Sequence, residues 1–192
     1  MALLLLLLAC NGDTSAPAAT AAPSRTEGVT VSTQKKQRSL DDFCEKHDAA
    51  STAATLTWPE LDGAAPPRSS KWTWVNVWAT WCGPCVAEMP MIKQWQAKLA
   101  SEGVDVDLAY LSVDANAEDV TRFRAAHTDA PAGPRVKDYA LVAPWVTSIG
   151  LDASAVIPIH VFVDPDQKIR CTRLGALEGA DYAEVKRVLK GE

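Results

Sequence analysis

Apolar and polar positions along the chain form blocks that predict strands and helices in turn. Residues 71–79 are apolar on both faces of an extended segment, which places this strand in the middle of a sheet. Apolar residues recur at every fourth position from Met91 to Leu99, a spacing that predicts one buried face of a helix. Further strands are predicted at 55–63, 104–114, 156–164 and 168–174, and further helices at 39–47, 118–127, 139–149 and 180–190.

The order of these elements predicts an α/β domain over residues 39–192. The strand, helix and strand between residues 71 and 114 have the length of a parallel, right-handed crossover. The short turn after the strand at 156–164 predicts an antiparallel hairpin. We therefore expect a central mixed β-sheet flanked by helices, with an amino-terminal extension ahead of the domain.

The first 38 residues predict no part of this domain. Residues 1–9 form an apolar stretch that is too short to cross a bilayer, which needs about 20 apolar residues, and they suit a signal peptide. Residues 10–38 are rich in Ala, Thr, Ser and Pro and contain hardly any large apolar side chain. Such a segment cannot bury enough apolar surface to offset the loss of conformational entropy on ordering, so we expect a flexible tether.

Composition narrows the class of partner. The chain has 192 residues, 47% of them hydrophobic, which is enough for a real core in one domain. Its net charge is −5 and its Lys and Arg residues are scattered, whereas a nucleic-acid surface needs a basic excess. Nucleic-acid binding is therefore disfavoured.

The candidate chemistry lies in two cysteines that follow the central strand, Cys82 and Cys85, separated by Gly-Pro. The start of a helix lowers the pKa of the first thiol, because backbone N–H groups point at it. Cys82 is thus predicted as the nucleophile and Cys85 as the resolving thiol. Half of a zinc site is the other interpretation, but no second Cys-x-x-Cys or His pair follows. A Cu(I)-delivery site that uses both thiols with Met89 or Met91 is the alternative function.

The segment Trp78-Ala-Thr-Trp-Cys-Gly-Pro-Cys85, extended by Glu88-Met89-Pro90, resembles the thioredoxin superfamily and in particular its TlpA/ResA type. The resemblance runs from about Leu56 to Leu189. It implies a thioredoxin-like fold and an exported protein-disulfide reductase without a cofactor or a metal. It also implies that Pro158 is a cis-proline opposite the cysteine pair.

The same resemblance assigns roles around the cysteines. Asn76 stands where thioredoxin has a buried acid, so Glu88 is the predicted proton acceptor for Cys85, and its burial would favour a protonated carboxyl near neutral pH. The alternative is a solvated Glu88 in the first turn of the helix. Trp81 and Pro84 are expected to contact the substrate beside the backbone of Ile157.

His160 departs from the family pattern, which has small hydroxyl residues after the cis-proline. It either tunes the thiol chemistry or only packs in the strand, and the sequence leaves both interpretations open.

The segment Leu7-Leu8-Ala9-Cys10 resembles a bacterial lipobox. It implies cleavage before Cys10, lipidation of that cysteine, and an anchored protein on the periplasmic side of the cell envelope. A soluble exported protein is the alternative. Two cysteines then remain in an oxidising compartment, and we expect a structural disulfide between Cys44 and Cys171, with two buried free thiols as the other possibility.

The implied partners are a disulfide-bearing protein substrate and a membrane thiol–disulfide electron donor, and the chain is expected to act as a monomer. The family suggests cytochrome c maturation or a similar assembly role. The Gly-Pro dipeptide matches thioredoxin and favours reduction over oxidation. Nothing in the residues selects the substrate or the donor.

Overall fold

The computed structural model describes residues 38–192. The predicted signal peptide, the lipidation site Cys10 and all of the predicted tether except Arg38 lie outside the described residues. No helix within 38–192 is both long enough and apolar enough to cross a bilayer.

The described part of the chain contains seven strands in one mixed sheet. They are β1 (Lys46–His47), β2 (Leu61–Asp62), β3 (Trp72–Trp78), β4 (Val106–Ser112), β5 (Arg135–Val136), β6 (Ile159–Val163) and β7 (Ile169–Leu174). Their order across the sheet is β1-β7-β6-β3-β4-β5-β2. The predicted inner strand is therefore central, because β3 pairs in parallel with β4 and antiparallel with β6.

Five α-helices accompany the sheet in the described residues. They are α1 (Leu40–Phe43), α2 (Gly83–Ser101), α3 (Ala117–Ala126), α4 (Val142–Ser148) and α5 (Tyr182–Val188). Short 3-10 turns at Tyr139–Leu141 and Gly179–Asp181 lead into α4 and α5. The predicted fold class, a central mixed sheet flanked by helices, is confirmed.

The sheet separates two apolar clusters, because successive side chains of a strand point to opposite faces. Trp74 of β3 packs with Ile92 and Leu99 of α2 and with Val185 of α5. Its neighbour Val75 belongs to the second cluster, which includes Trp145 and Val146 of α4. The helix α2, which carries the cysteines, is thus held against the sheet by a continuous buried face.

The first predicted helix is shorter than expected. Ser39 caps α1 by accepting a hydrogen bond from the backbone N–H of Asp42, but the helix ends after Phe43. The chain then extends, since Lys46 pairs with Thr172 of β7. Pairing with the sheet edge satisfies backbone groups that a longer helix would have satisfied internally.

The predicted edge strand at 55–63 is mostly irregular. Thr55 makes an isolated bridge to Lys168, and only Leu61–Asp62 forms a strand, which pairs with β5. The loop predicted at 128–138 contains that partner, Arg135–Val136. β5 was missed because two residues carry too little periodicity to identify a strand.

Candidate active site

The cysteine pair lies where the central strand passes into α2. Cys82 is the N-cap of the helix, and the backbone N–H of Cys85 points at its sulfur, with N and Sγ 3.3 Å apart. Pro84 occupies the first turn, where a missing N–H costs no hydrogen bond. The structure shows the oxidised form, in which Cys82 and Cys85 are joined by a disulfide.

The two sulfurs differ in their access to solvent. Cys85 is completely buried, whereas Cys82 retains 5% exposure. The neighbouring Trp81 is 65% exposed, and Pro84 is exposed as well. Of the two cysteines, Cys82 is therefore the one that solvent reaches.

The loop that carries Cys82 is anchored by a carboxylate that the sequence reasoning missed. Asp114 lies just beyond β4 and is almost fully buried. Its carboxylate accepts hydrogen bonds from the N–H of Thr80 at 3.1 Å, from the Thr80 hydroxyl at 2.7 Å and from the Ser112 hydroxyl at 2.8 Å. The sequence feature that could have revealed Asp114 is its position at the end of a strand that is predicted to be buried.

The peptide bond between Ile157 and Pro158 is cis. In the antiparallel pair of β3 and β6, Val77 lies opposite Ile159, so the start of β6 is at the end of β3 that leads to the cysteines. Pro158 itself is buried, and its carbonyl accepts a hydrogen bond from the N–H of Gly175. The proline named from the resemblance is therefore cis and is located at the sheet end that carries Cys82.

Glu88 lies one helical turn after Cys85 and is buried, so the solvated alternative does not apply. One carboxylate oxygen, Oε1, accepts a hydrogen bond from Asn76 Nδ2 at 2.8 Å. The other, Oε2, accepts one from the backbone N–H of Leu177 at 2.8 Å. Residues three apart on a helix are neighbours, so this carboxyl shares the buried face of α2 with Cys85.

An apolar cleft of about 430 Å³ begins at Trp81, the residue before Cys82. Trp81 and Ile157 line it, as the resemblance implied for substrate contacts, together with residues of α4. The three exposed large hydrophobic residues of the described chain are Trp81, Tyr139 and Val156, and all three line this cleft. Tyr139 and Val156 were missed, since no local pattern reveals that distant loops meet. Pro84 is not among the lining residues.

The other two cysteines are also joined. Cys44, which follows α1, forms a disulfide with Cys171 of β7 across 127 positions of sequence. Their Cα atoms are 5.5 Å apart. No group of three or more His, Cys, Asp or Glu side chains in the part of the chain that the structure describes is placed to hold a metal ion.

Comparison with known proteins identifies the family. The Redoxin family model matches residues 66–189. The chain belongs to the redoxin family. It is 34% identical over 133 residues to the thiol-disulfide oxidoreductase ResA of Bacillus anthracis, a match that covers 65% of this chain and 69% of that protein.

Other relatives carry related names. The thiol:disulfide interchange protein DsbE homolog of Paracoccus denitrificans is 37% identical over 97 residues, which is 47% of this chain and 50% of that one. Among solved structures, a secreted thiol-disulfide isomerase from Corynebacterium glutamicum has 19% identity and a TM-score of 0.49, covering 64% of this chain and 72% of that chain. The predicted membership of the thioredoxin superfamily, ResA type, is confirmed.

The redox pair and the family together define the reaction class. The redoxin is a thiol–disulfide oxidoreductase whose two cysteines alternate between dithiol and disulfide.

Proposed function

We propose that this redoxin reduces protein disulfides outside the cytosol. The observation that carries the proposal is the arrangement of the pair: Cys82 at the rim of the start of α2, Cys85 fully buried behind it, and Glu88 one turn further on. This order gives each sulfur a separate task. The outer thiol meets the substrate disulfide, and the inner thiol completes the exchange without contact with solvent.

The reaction begins with the reduced enzyme. The Cys82 thiolate, stabilised by the helix start, attacks one sulfur of the substrate disulfide, and the other substrate sulfur leaves as a thiolate that takes a proton from solvent. Cys85 then gives up its proton and attacks the Cys82 sulfur of the mixed disulfide. The second substrate sulfur leaves, and the Cys82–Cys85 bond closes. The substrate gains two electrons, which the enzyme supplies.

Glu88 is the proton acceptor for Cys85 in this proposal. Cys85 is buried, so its proton has no direct path to water, whereas the Glu88 carboxylate lies on the same face of α2. Asn76 holds that carboxylate from the central strand. Pro158 forms the opposite wall of the site.

The substrate is an extended polypeptide with an apolar residue near its cysteine. The cleft beside Cys82 is lined by apolar side chains, with Ser154 as the polar exception. Trp81 and Tyr139 offer flat rings on which an apolar side chain can pack, with Pro84 beside the sulfur, and the backbone at Ile157 can pair with an extended segment. The names of the ResA and DsbE relatives support such a partner.

We extend the proposal to the cell envelope. The lipobox-like segment around Cys10 supports lipidation and a tether on the periplasmic side, with a membrane thiol–disulfide protein as the electron donor. A role in cytochrome c maturation is compatible with a ResA-type protein, and a monomer suffices for the chemistry. Mass spectrometry of the mature amino terminus tests the anchor, and an unmodified Cys10 would refute it.

The direction of electron flow is tested by the reduction potential of the Cys82–Cys85 couple. The purified chain is equilibrated in dithiothreitol and glutathione redox buffers, and the disulfide fraction is read by alkylation. We expect a value near the about −270 mV of thioredoxin. A value near the about −120 mV of the oxidant DsbA would reverse the direction. The double variant Cys44→Ala/Cys171→Ala is the control, since it removes the second disulfide from the titration.

A further inference from the structure

A row of buried polar side chains crosses the sheet beneath α2. Asn76 of β3 lies opposite His160 on β6 and opposite Tyr110 on β4. All three side chains are buried, and His160 is completely so. Residues opposite one another in neighbouring strands share a face, and Glu88 reaches this face from α2, where Asn76 contacts it. His160 therefore belongs to the environment of the predicted proton acceptor.

The protonation state of His160 follows from its neighbours. Its Nδ1 lies 3.3 Å from Nε1 of Trp74 and 3.4 Å from Nδ2 of Asn76. The indole N–H can only donate a hydrogen bond, so Nδ1 must accept it. A proton on Nδ1 would set two donors against each other in a buried site. His160 is thus neutral, with its hydrogen on Nε2.

That hydrogen is on the side of Glu88. His160 Nε2 lies 3.4 Å from Glu88 Oε1, a contact that is not aligned as a hydrogen bond, and it has no hydrogen-bond partner elsewhere within residues 38–192. Arg173 of β7 is opposite His160 in the sheet, and its guanidinium lies over the ring of Phe43. Within the described chain no ion pair joins His160 to Glu184, the buried carboxyl of α5. Glu88 is therefore the charged group that His160 serves.

We propose that His160 is a positioning residue for the resolving step: a neutral imidazole whose Nε2 edge faces Glu88 Oε1 and favours the carboxylate form of this side chain for Cys85. The inference rests on the proposed role of Glu88 as proton acceptor. It goes beyond that role by assigning a function to a histidine that replaces the family's small hydroxyl residue.

The proton balance shows at which step the contact between His160 and Glu88 acts. When Cys85 passes its proton to Glu88, the carboxylate becomes a neutral carboxyl, and Cys85 becomes the thiolate that attacks Cys82. Asn76 and Leu177 donate hydrogen bonds to the Glu88 carboxylate. The polar Nε2–H of His160, whose nitrogen is 3.4 Å from Oε1, adds a favourable charge–dipole contact before this transfer, in a buried site. His160 neither gains nor loses a proton, and it never touches the reacting sulfurs.

Ellman's reagent separates the two steps in one stopped-flow experiment on a Cys10→Ser protein in which the Cys82–Cys85 pair is reduced and the Cys44–Cys171 disulfide is intact. The first yellow thiolate reports the attack of Cys82, and the second reports its displacement by Cys85. His160→Phe should slow the second phase by about tenfold, because a polar group next to a buried carboxylate is replaced by an apolar ring. It should also shift the pH profile of that phase to higher pH and leave the first phase unchanged.

Conservative variants separate positioning from packing. His160→Gln places an amide donor at the depth of Nε2 and should restore most of the second phase, whereas His160→Asn is too short to reach Glu88 and should not. The matched control is His127→Phe, because His127 is exposed and lies on Phe123 of α3. It should change neither phase. A normal first phase shows that each variant has folded around the pair.

The outcomes distinguish the inference from the function on which it rests. Glu88→Gln should slow the second phase by about a hundredfold, as for the loss of a general base. If Glu88→Gln is slow while the three His160 variants keep the wild-type rate and pH profile, the positioning role is wrong and the acceptor stands. If Glu88→Gln itself is as fast as the wild type, the acceptor assignment fails, and the role of His160 fails with it.

Discussion

Tyr110 is the neighbour of Asn76 in the sheet and lies at the other end of the buried polar row from His160. Its hydroxyl has no hydrogen-bond partner among the described residues. Burial raises the pKa of Tyr110, and the negative charge of Glu88 raises it further. The folded protein therefore holds this phenol in its neutral form. The pKa of Tyr110 is higher in the folded chain than in the unfolded chain. Its contribution to the free energy of unfolding is therefore complete below about pH 10, the unfolded pKa, and is lost as the pH rises towards and through the folded pKa.

Replacing Tyr110 with Phe tests this residue-scale account. At neutral pH the free energy of unfolding should stay the same or rise by about 1 kcal/mol, since an unpaired buried hydroxyl is removed. Above about pH 10 the variant should lose less stability than the wild type does. Urea unfolding at both pH values measures this. Tyr139→Phe is the control, because Tyr139 is exposed. A loss well above 1 kcal/mol at neutral pH would mean that the hydroxyl has a partner.

At the scale of elements, the site is a junction of segments that are distant in sequence. The loop before α2 brings Trp81, the turn before α4 brings Tyr139, and the segment before the cis-proline brings Val156. Asp114 anchors the first of these segments through Thr80. Exposed apolar groups that gather at one place mark an interaction site, in contrast to single exposed residues.

Val156→Asp tests the cleft as the substrate contact. In a Cys85→Ala background, which leaves the mixed disulfide on Cys82, capture of a disulfide-linked peptide with an apolar residue beside its cysteine should slow by about tenfold. The reaction with the small Ellman's reagent should not change, because it has no chain to fill the cleft. Thr121→Asp, an exposed substitution on α3 outside the cleft, is the matched control. Equal slowing of both reagents would instead indicate damage to the pair.

At the scale of the whole molecule, the second disulfide ties the start of the domain to β7, the strand next to the β1 edge of the sheet. Cys44 follows α1 and Cys171 lies in β7, 127 positions later. The bond closes most of the domain into one loop. Beside it, backbone hydrogen bonds attach β1 to β7, and the buried side chains of Leu40 and Phe43 attach α1 to the apolar cluster around Trp74. Restricting so long a loop in the unfolded chain favours the folded state.

The double variant Cys44→Ala/Cys171→Ala should lower the free energy of unfolding by about 4–5 kcal/mol on the chain-entropy account. Urea titration of the oxidised protein measures the change, and the Ellman's reaction of the Cys82–Cys85 pair checks that the active site is retained. An unchanged unfolding midpoint would mean that the bond contributes no net stability. A lost second phase would mean that the bond also shapes the site.

The local pattern of apolar residues was sufficient to predict the helices and strands that have a clear short-range periodicity. The spacing from Met91 to Leu99 predicted α2, and a run that is apolar on both faces predicted β3. The same local information failed at 39–47, where α1 ends early because the following residues pair with β7. That pairing partner lies more than a hundred positions away, so no window of sequence around α1 contains the reason.

The sequence by itself determined the chemistry and the architecture: two thiols at the spacing that closes a small ring, set between a buried strand and an amphipathic helix. Only the tertiary structure decided what surrounds them. Asn76 and His160 are 84 positions apart, and Glu88 and Leu177 are 89 apart, yet they meet in one buried polar cluster. The physical reason is that periodicity reports burial along one element, whereas a site depends on which elements the sheet brings together.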